Sequence, residues 1–205
     1  MRPYPRWRMF VTFEGLDGSG KSTQAELLRA ALEAEGREVV LARDPGGTEL
    51  GEKIRGLLLG GGEITPWAEA ALFAAARAEL VERVIEPALQ RDADVVCDRY
   101  VDSSLAYQGI ARGLGVERVL ELNLQAIRAL LPDRTILLLL DPDVSVQRAG
   151  ETDRIEREGG DFRRRVDAAY RDLAEMFPRR ILTADGTQPA EQLSMLIRGQ
   201  LRDLS

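Results

Sequence analysis

Residues Gly15-Leu16-Asp17-Gly18-Ser19-Gly20-Lys21-Ser22, running on into Thr23, fit the pattern G-x-x-x-x-G-K-[ST] of a phosphate-binding loop. Ahead of it, Met9-Phe10-Val11-Thr12-Phe13 is short, β-branched and aromatic; behind it, Leu28, Ala31 and Leu32 recur at helical spacing. The motif therefore has the strand, loop and helix context it needs. Its three glycines let the backbone turn tightly enough to aim successive N–H groups at phosphate oxygens, and the helix beginning near Lys21 adds its positive dipole end. Lys21 supplies a mobile cation for the outer phosphates, and the Ser22 hydroxyl can ligate the Mg²⁺ that accompanies a nucleoside triphosphate. Lysine occurs only at Lys21 and Lys53, every other basic residue being arginine. A chain that barely uses lysine has placed one at the motif's obligatory position. The alternative, a glycine-rich turn that merely joins strand to helix, is disfavoured by that context.

The length of 205 residues suits one domain, 1–205, whose sheet is covered on both faces by helices. With 44% hydrophobic and 30% charged residues the composition is that of a soluble globular protein. No apolar run approaches the roughly 18–20 residues that span a bilayer, so no membrane partner is expected. The residues before Arg8 hold prolines and arginines without an apolar stretch, unlike a secretory signal. Cys97, the lone cysteine, lies in the apolar run Val95-Val96-Cys97 and reads as a small buried hydrophobe. Without a disulfide framework the chain suits a reducing cytoplasm. A net charge of −6 argues against affinity for nucleic-acid backbone; phosphate binding here must be local.

Alternating patterns follow along the chain. Strands are expected at 38–43, 94–98, 135–140 and 180–183, and helices at 49–58, from Thr65-Pro66 onward, at 115–131 (closed by Pro132), 162–177 and 189–204. The breaker cluster Asp44-Pro45-Gly46-Gly47-Thr48 follows a strand end, on the side where open α/β sheets bind ligands. Residues 135–140 are almost unbrokenly apolar, as in a strand buried on both faces of a parallel sheet. Repeated βαβ units make the fold class α/β, with a central parallel sheet of about five strands between helices. In the run 148–165, Arg148, Arg154, Arg157, Arg163, Arg164 and Arg165 interleave with Glu151, Asp153, Glu156, Glu158 and Asp161. On charge pattern alone this is a solvated helix.

The chain resembles the bacterial thymidylate kinases, P-loop enzymes that pass the γ-phosphate of ATP to dTMP. The resemblance is carried in order by the loop at 15–23, by Pro45-Gly46-Gly47-Thr48 with Ile54-Arg55, by Asp98-Arg99-Tyr100 with Ser103-Ser104-Leu105-Ala106-Tyr107-Gln108-Gly109, and by Asp153-Arg154-Ile155-Glu156. It implies a P-loop NTPase fold whose charged run, about 148–160, is a mobile lid, with ATP and Mg²⁺ as cofactors and a homodimer as the assembly. Some of these enzymes carry a basic residue inside the phosphate loop; here those positions are Asp17, Gly18 and Ser19. By similarity the lid then supplies the charge, from Arg148, Arg154 or Arg157. Glu156 and Asp153 look like the family's lid acids, holding the cation or the lid arginines, so Ser22 and Glu156 are the metal candidates.

For the acceptor, the resemblance maps a stacking ring to Phe73 and a carbonyl-binding guanidinium to Arg77, one turn on. It maps sugar contacts to Asp17 and Tyr107, a base contact to Ser104, and acceptor-phosphate contacts to Arg99 and Arg55. On spacing alone Phe73 and Arg77 read as a core ring and a surface charge. Asp44 departs from the family, which usually has glutamate there, and it is left out of the catalytic set. The expected catalytic residues are thus Lys21, Asp17, Arg99, Arg148 and Arg154, and the adenine is expected near Asp185-Gly186-Thr187. Three other readings remain open: a kinase for a different nucleoside monophosphate, a P-loop nucleotide-binding switch, and a P-loop ATPase coupled to a macromolecule. A switch of the GTPase kind needs an Asn-Lys-x-Asp motif, which the lysine count forbids.

Overall fold

The computed structural model describes residues 8–149 and 153–204, apart from the side chains of Glu156 and Asp203. Its elements run β1 (Phe10–Gly15), α1 (Lys21–Ala34), β2 (Val39–Arg43), α2 (Glu49–Leu59) and α3 (Pro66–Leu80). A π-helical turn, Val81–Ile85, leads into α4 (Glu86–Gln90), then β3 (Asp94–Asp98) and α5 (Val101–Ser104). A second π-helical stretch, Leu105–Ala111, precedes α6 (Val116–Ala126), β4 (Arg134–Leu139) and α7 (Pro142–Arg148). A 3₁₀ turn at Glu156–Glu158, α8 (Gly160–Met176), β5 (Ile181–Asp185), α9 (Ala190–Gln200) and a last 3₁₀ turn, Arg202–Leu204, complete the order.

The five strands form one parallel sheet in the order β2-β3-β1-β4-β5. The period-2 alternation of β1 sorts its residues between two cores. Val11 and Phe13 pack with Leu28 and Leu32 of α1 and Leu193 and Ile197 of α9. Phe10 joins the larger cluster under α3, α6 and α8, with Phe73, Leu80, Val119 and Val166. Cys97 is buried in that cluster as expected, and burial pushes its thiol well above the ordinary range. β1 is central, and neighbouring strands depart from it on either side, so the crevice at its carboxyl end is the topological switch point of the sheet.

One boundary differs in an instructive way. The helix expected over 115–131 ends at Ala126, because Arg128 and Ala129 take left-handed φ values of 50° and 57°. The turn places the Arg128 guanidinium on Glu82 (2.5 Å) and Glu86 (3.2 Å), a long-range pairing that the local pattern does not carry.

Candidate active site

Each strand delivers one piece of the site at its carboxyl end. The phosphate loop follows β1, Asp44 follows β2, Asp98 and Arg99 close β3, α7 follows β4, and Gly186 follows β5. In the loop, Gly18 stands at φ +75°, and a Cβ there would lie 2.8 Å from Ser145 O and 2.9 Å from Arg148 Cβ, so only glycine lets α7 press onto it. The Ser145 hydroxyl fixes that contact by donating to Asp17 O at 2.6 Å. Lys21 is buried, donating to Leu16 O at 2.8 Å with Asp17 Oδ1 at 3.5 Å. Burial and the nearby Arg99 cation pull its ammonium down to about 8. The Ser22 hydroxyl donates to Asp98 Oδ2 at 2.5 Å. A hydroxyl and a carboxylate converging on the loop suit a divalent cation whose other ligands are phosphate oxygens and waters. Among the described residues no group of three or more His, Cys, Asp or Glu gathers as a metal cage.

Two cavities meet over this crevice. One is lined by Gly18, Gly20, Lys21, Ser22, Thr23, Asp98 and Arg148, the other by Phe73, Arg77, Tyr107, Gln108, Asp153 and Ile155. Asp17, Asp44, Arg55 and Arg99 line both. Arg99 spans the junction: Nη2 donates to Asp17 at 2.6 Å, Nη1 to the hydroxyls of Ser103 and Tyr170 at 3.2 Å each, and its guanidinium lies 5.6 Å from the Tyr107 ring centroid. Arg55 Nη1 donates to Pro45 O at 3.0 Å; burial and neighbouring Arg43 lower its affinity for its proton. Arg148 donates from Nη1 to Gly186 O at 3.0 Å, and a Cβ on Gly186 would lie 3.2 Å from Ser19 O of the phosphate loop. Gly15 and Leu16 sit behind the loop rather than in its cavity, and Leu16 serves through the carbonyl that takes Lys21.

Arg77 is not the surface charge that spacing implies. It is fully buried, with Nε on Asp44 Oδ2 (2.6 Å), Nη1 on Ser104 Oγ (3.1 Å) and Asn123 Oδ1, and Nη2 on Tyr100 O (3.1 Å). These bonds leave one Nη2 hydrogen for the cavity that Arg77 lines beside Phe73. Asp44, kept out of the catalytic set, proves to be the buried counter-ion. Burial raises its carboxyl although Arg77 pulls the other way, and its Oδ1 has no partner.

Two expectations need correction. Ser104 does not reach the acceptor cavity: it stands behind Arg77 as an acceptor, and Ser103 is the serine on the wall. Arg154 does not face the phosphate loop; it donates from Nε to Leu58 O at 2.8 Å and from Nη2 to Glu69. The reason is a buried carboxylate. Glu69 also takes Arg112 at 2.7 and 2.9 Å and Gln108 at 2.8 Å; although burial pushes its carboxyl upward, the hydrogen bonds from Arg112 and Arg154 carry it below the usual range. Arg157 is exposed, residues 150–152 of the expected lid lie outside the described residues, and so does the Glu156 side chain. Sequence reasoning also passed over Asp98, Gln108 and Ser103 as individual contributors, although each lay inside a quoted motif. Glu69, in a helix with no motif, left no signal.

The fold and the paired cavities define a P-loop protein of the nucleotide-kinase class. The family model described as thymidylate kinase matches residues 13–197. A thymidylate kinase of Bifidobacterium longum strain DJO10A is 48% identical over 203 residues, covering 96% of this chain and 98% of the relative. That of Deinococcus radiodurans is 44% identical over 189 residues, covering 90% of this chain and 92% of the relative. The crystal structure of thymidylate kinase from Ehrlichia chaffeensis is similar with a TM-score of 0.79 at 34% identity, over 95% of this chain and 99% of that one. The chain belongs to the thymidylate kinase family.

Proposed function

We propose that this chain carries out the reaction of its family, phosphorylation of dTMP to dTDP, with ATP and Mg²⁺ as donor and cation, dTMP seated in the cavity beside Phe73 and ATP over the phosphate loop. What carries the reading is the shared wall: Asp17, Asp44, Arg55 and Arg99 line both cavities, so two nucleotides bound there present their phosphates to one charged seam. Phosphoryl transfer asks little covalent chemistry of a protein; placement in line and positive charge over the moving group suffice. A chain without histidine is equipped for that.

Lys21 and Arg148 take the donor phosphates, and Arg99 and Arg55 take the acceptor phosphate. Ser22 and Asp98 would hold the cation, which would neutralise charge on the donor phosphates; Glu156 is a further candidate from the lid. Asp17, held by Arg99 and near Lys21, orients both cations at the seam. Phe73 stacks the base, the remaining Arg77 hydrogen donates to a carbonyl oxygen, and Tyr107 packs under the sugar. Gln108, whose amide nitrogen donates to Glu69, lines the same cavity. Residues 1–205 then act as one kinase domain with 148–160 its lid, in a cytoplasmic homodimer whose mass sedimentation velocity would read. The described residues contain no helix long and apolar enough to cross a membrane.

The test is ADP release with ATP and each of dTMP, dUMP, UMP, dCMP, AMP and GMP. dTMP is the best acceptor, dUMP is weaker and UMP fails against Tyr107. A preference for AMP, GMP or dCMP overturns the acceptor assignment, and hydrolysis without any acceptor overturns the kinase reading itself.

A further inference from the structure

Glu14, near the end of β1, is a fully buried carboxylate that touches neither cavity. Its Oε1 accepts from the N–H groups of Tyr100 (2.8 Å) and Ser103 (3.1 Å), and its Oε2 from the hydroxyls of Ser103 (2.6 Å) and Tyr170 (2.8 Å). Those two hydroxyls are the ones that accept from Arg99 Nη1, at 3.2 Å each. The arrangement is directional. A hydroxyl has one proton to give, and the two stand 3.0 Å apart, close enough for one to donate to the other. A carboxylate that takes both protons leaves both sets of lone pairs turned to the guanidinium. The main chain is held as well: Arg99 has a φ of +66°, unusual for a long side chain, and the peptide after it is pinned by the Tyr100 N–H on Glu14.

We propose that Glu14 is the positioning residue for Arg99, holding its guanidinium toward the acceptor phosphate through the hydroxyls of Ser103 and Tyr170 and its backbone through the Tyr100 N–H. The inference rests on the assignment of Arg99 to that phosphate.

A carboxylate is a costly choice here. Burial, with the charge of Asp102, pushes Glu14 up to about 7 against the opposing pull of Arg99. The other ionisable groups facing it are Lys21 from α1, Cys97 from β3, Tyr107 from the π-helical stretch, Tyr170 from α8, and Arg180, which clasps Asp102 at 2.6 and 2.7 Å. Protonation of Glu14 makes one oxygen a donor. The hydroxyl that receives it must turn its own proton toward Arg99 or toward the other hydroxyl 3.0 Å away, and in either case a lone pair that served the guanidinium alone is lost or shared. Binding of dTMP therefore weakens as pH falls through 7, whereas loss of the Lys21 charge acts on the alkaline side.

Steady-state kinetics of wild type, Glu14→Gln, Tyr170→Phe and Arg99→Ala between about pH 5.5 and 9 test this. Glu14→Gln and Tyr170→Phe raise KM for dTMP about 3- to 10-fold, the scale of one ordinary hydrogen bond lost at one remove from the phosphate, and leave KM for ATP unchanged. Glu14→Gln also removes the acid limb near pH 7 in kcat/KM for dTMP, leaving only ionisation of the substrate phosphate near about pH 6. An unchanged acid limb and dTMP KM in Glu14→Gln, with Arg99→Ala still defective for dTMP, overturns the positioning role alone. Equal losses for both substrates that track a lowered Tm overturn it in favour of a structural one. If Arg99→Ala binds dTMP normally, the phosphate assignment falls and the inference with it.

Discussion

Arg148 and Arg154 belong to one charged run, yet they reach different partners. Arg148 ends α7, lies over Gly18 and reaches Gly186 O beside the phosphate loop; Arg154 turns to Glu69 and Leu58 O, against α2 and α3. The first is held by backbone geometry, the docking of a helix against a glycine. The second is claimed by a buried carboxylate that already holds Arg112 and Gln108. A repeated residue type in a charged run thus says that cations are present, and the nearest desolvated anion decides where each one goes.

The comparison breaks most visibly at Lys21. Lys21→Ala should cut kcat/KM by on the order of 10²- to 10³-fold, the scale of losing one donor to a reacting group. Tm should hold nearly constant, since the buried ammonium is already disfavoured by burial. Near-normal turnover would remove the phosphate loop from the mechanism.

Next comes the arginine pair itself. Arg148→Ala is expected to lower kcat by on the order of 10²-fold with little change in Tm. Arg154→Ala is expected to lose about 1.5–3 kcal/mol of stability from its bond to buried Glu69 while keeping most of kcat. Parallel kcat and melting measurements decide: a matching kcat loss in both variants erases the distinction drawn between them.

Arg77→Ala should lower kcat/KM for dTMP by roughly 5- to 150-fold. It also strands Asp44 as a buried unpaired charge, which typically costs about 3–5 kcal/mol. The readout is therefore the ratio of dTMP to dCMP turnover, which an unfolded fraction does not alter. An unchanged ratio means that Arg77 serves only as the partner of Asp44, Asn123 and Ser104.

The gentlest test is a slope. The Glu14 acid stands at about 7 in the folded protein against an ordinary 4.5. A raised folded value means that its stabilising contribution is complete below about pH 4.5 and is lost as pH rises through 7. Chemical denaturation should show wild type losing up to about 1.4 kcal/mol per pH unit across that window from this group, a component missing in Glu14→Gln. Equal slopes in the two proteins would show that Glu14 is not strained by its burial.

Legibility followed the range of the interactions. The phosphate loop was readable because its glycines, Lys21 and Ser22 act through neighbouring backbone. The strands were readable because β4 is apolar on both faces and so must lie inside a parallel sheet. Phe73 and Arg77 were placed together by helical spacing and by resemblance, but spacing could not show that Asp44, Asn123 and Tyr100 would surround the guanidinium. Ser103 and Ser104 were indistinguishable in sequence. The angle at which α5 leaves β3 sends one to the cavity and Glu14, the other behind Arg77.

The sequence by itself determined the order of the five strands and of the longer helices, though not the short helical segments at 101–111 and 142–148, together with the phosphate loop at the end of the first strand and a set of residues able to handle phosphate, because these follow from local spacing and from the reach of neighbouring groups. Only the tertiary structure decided which charges pair. Glu14 with Ser103 and Tyr170, Asp44 with Arg77, and Glu69 with Arg112 and Arg154 are joined across long stretches of chain. A buried carboxylate must take its partners from whatever groups the fold brings within about 3 Å, and that choice is made by packing in three dimensions.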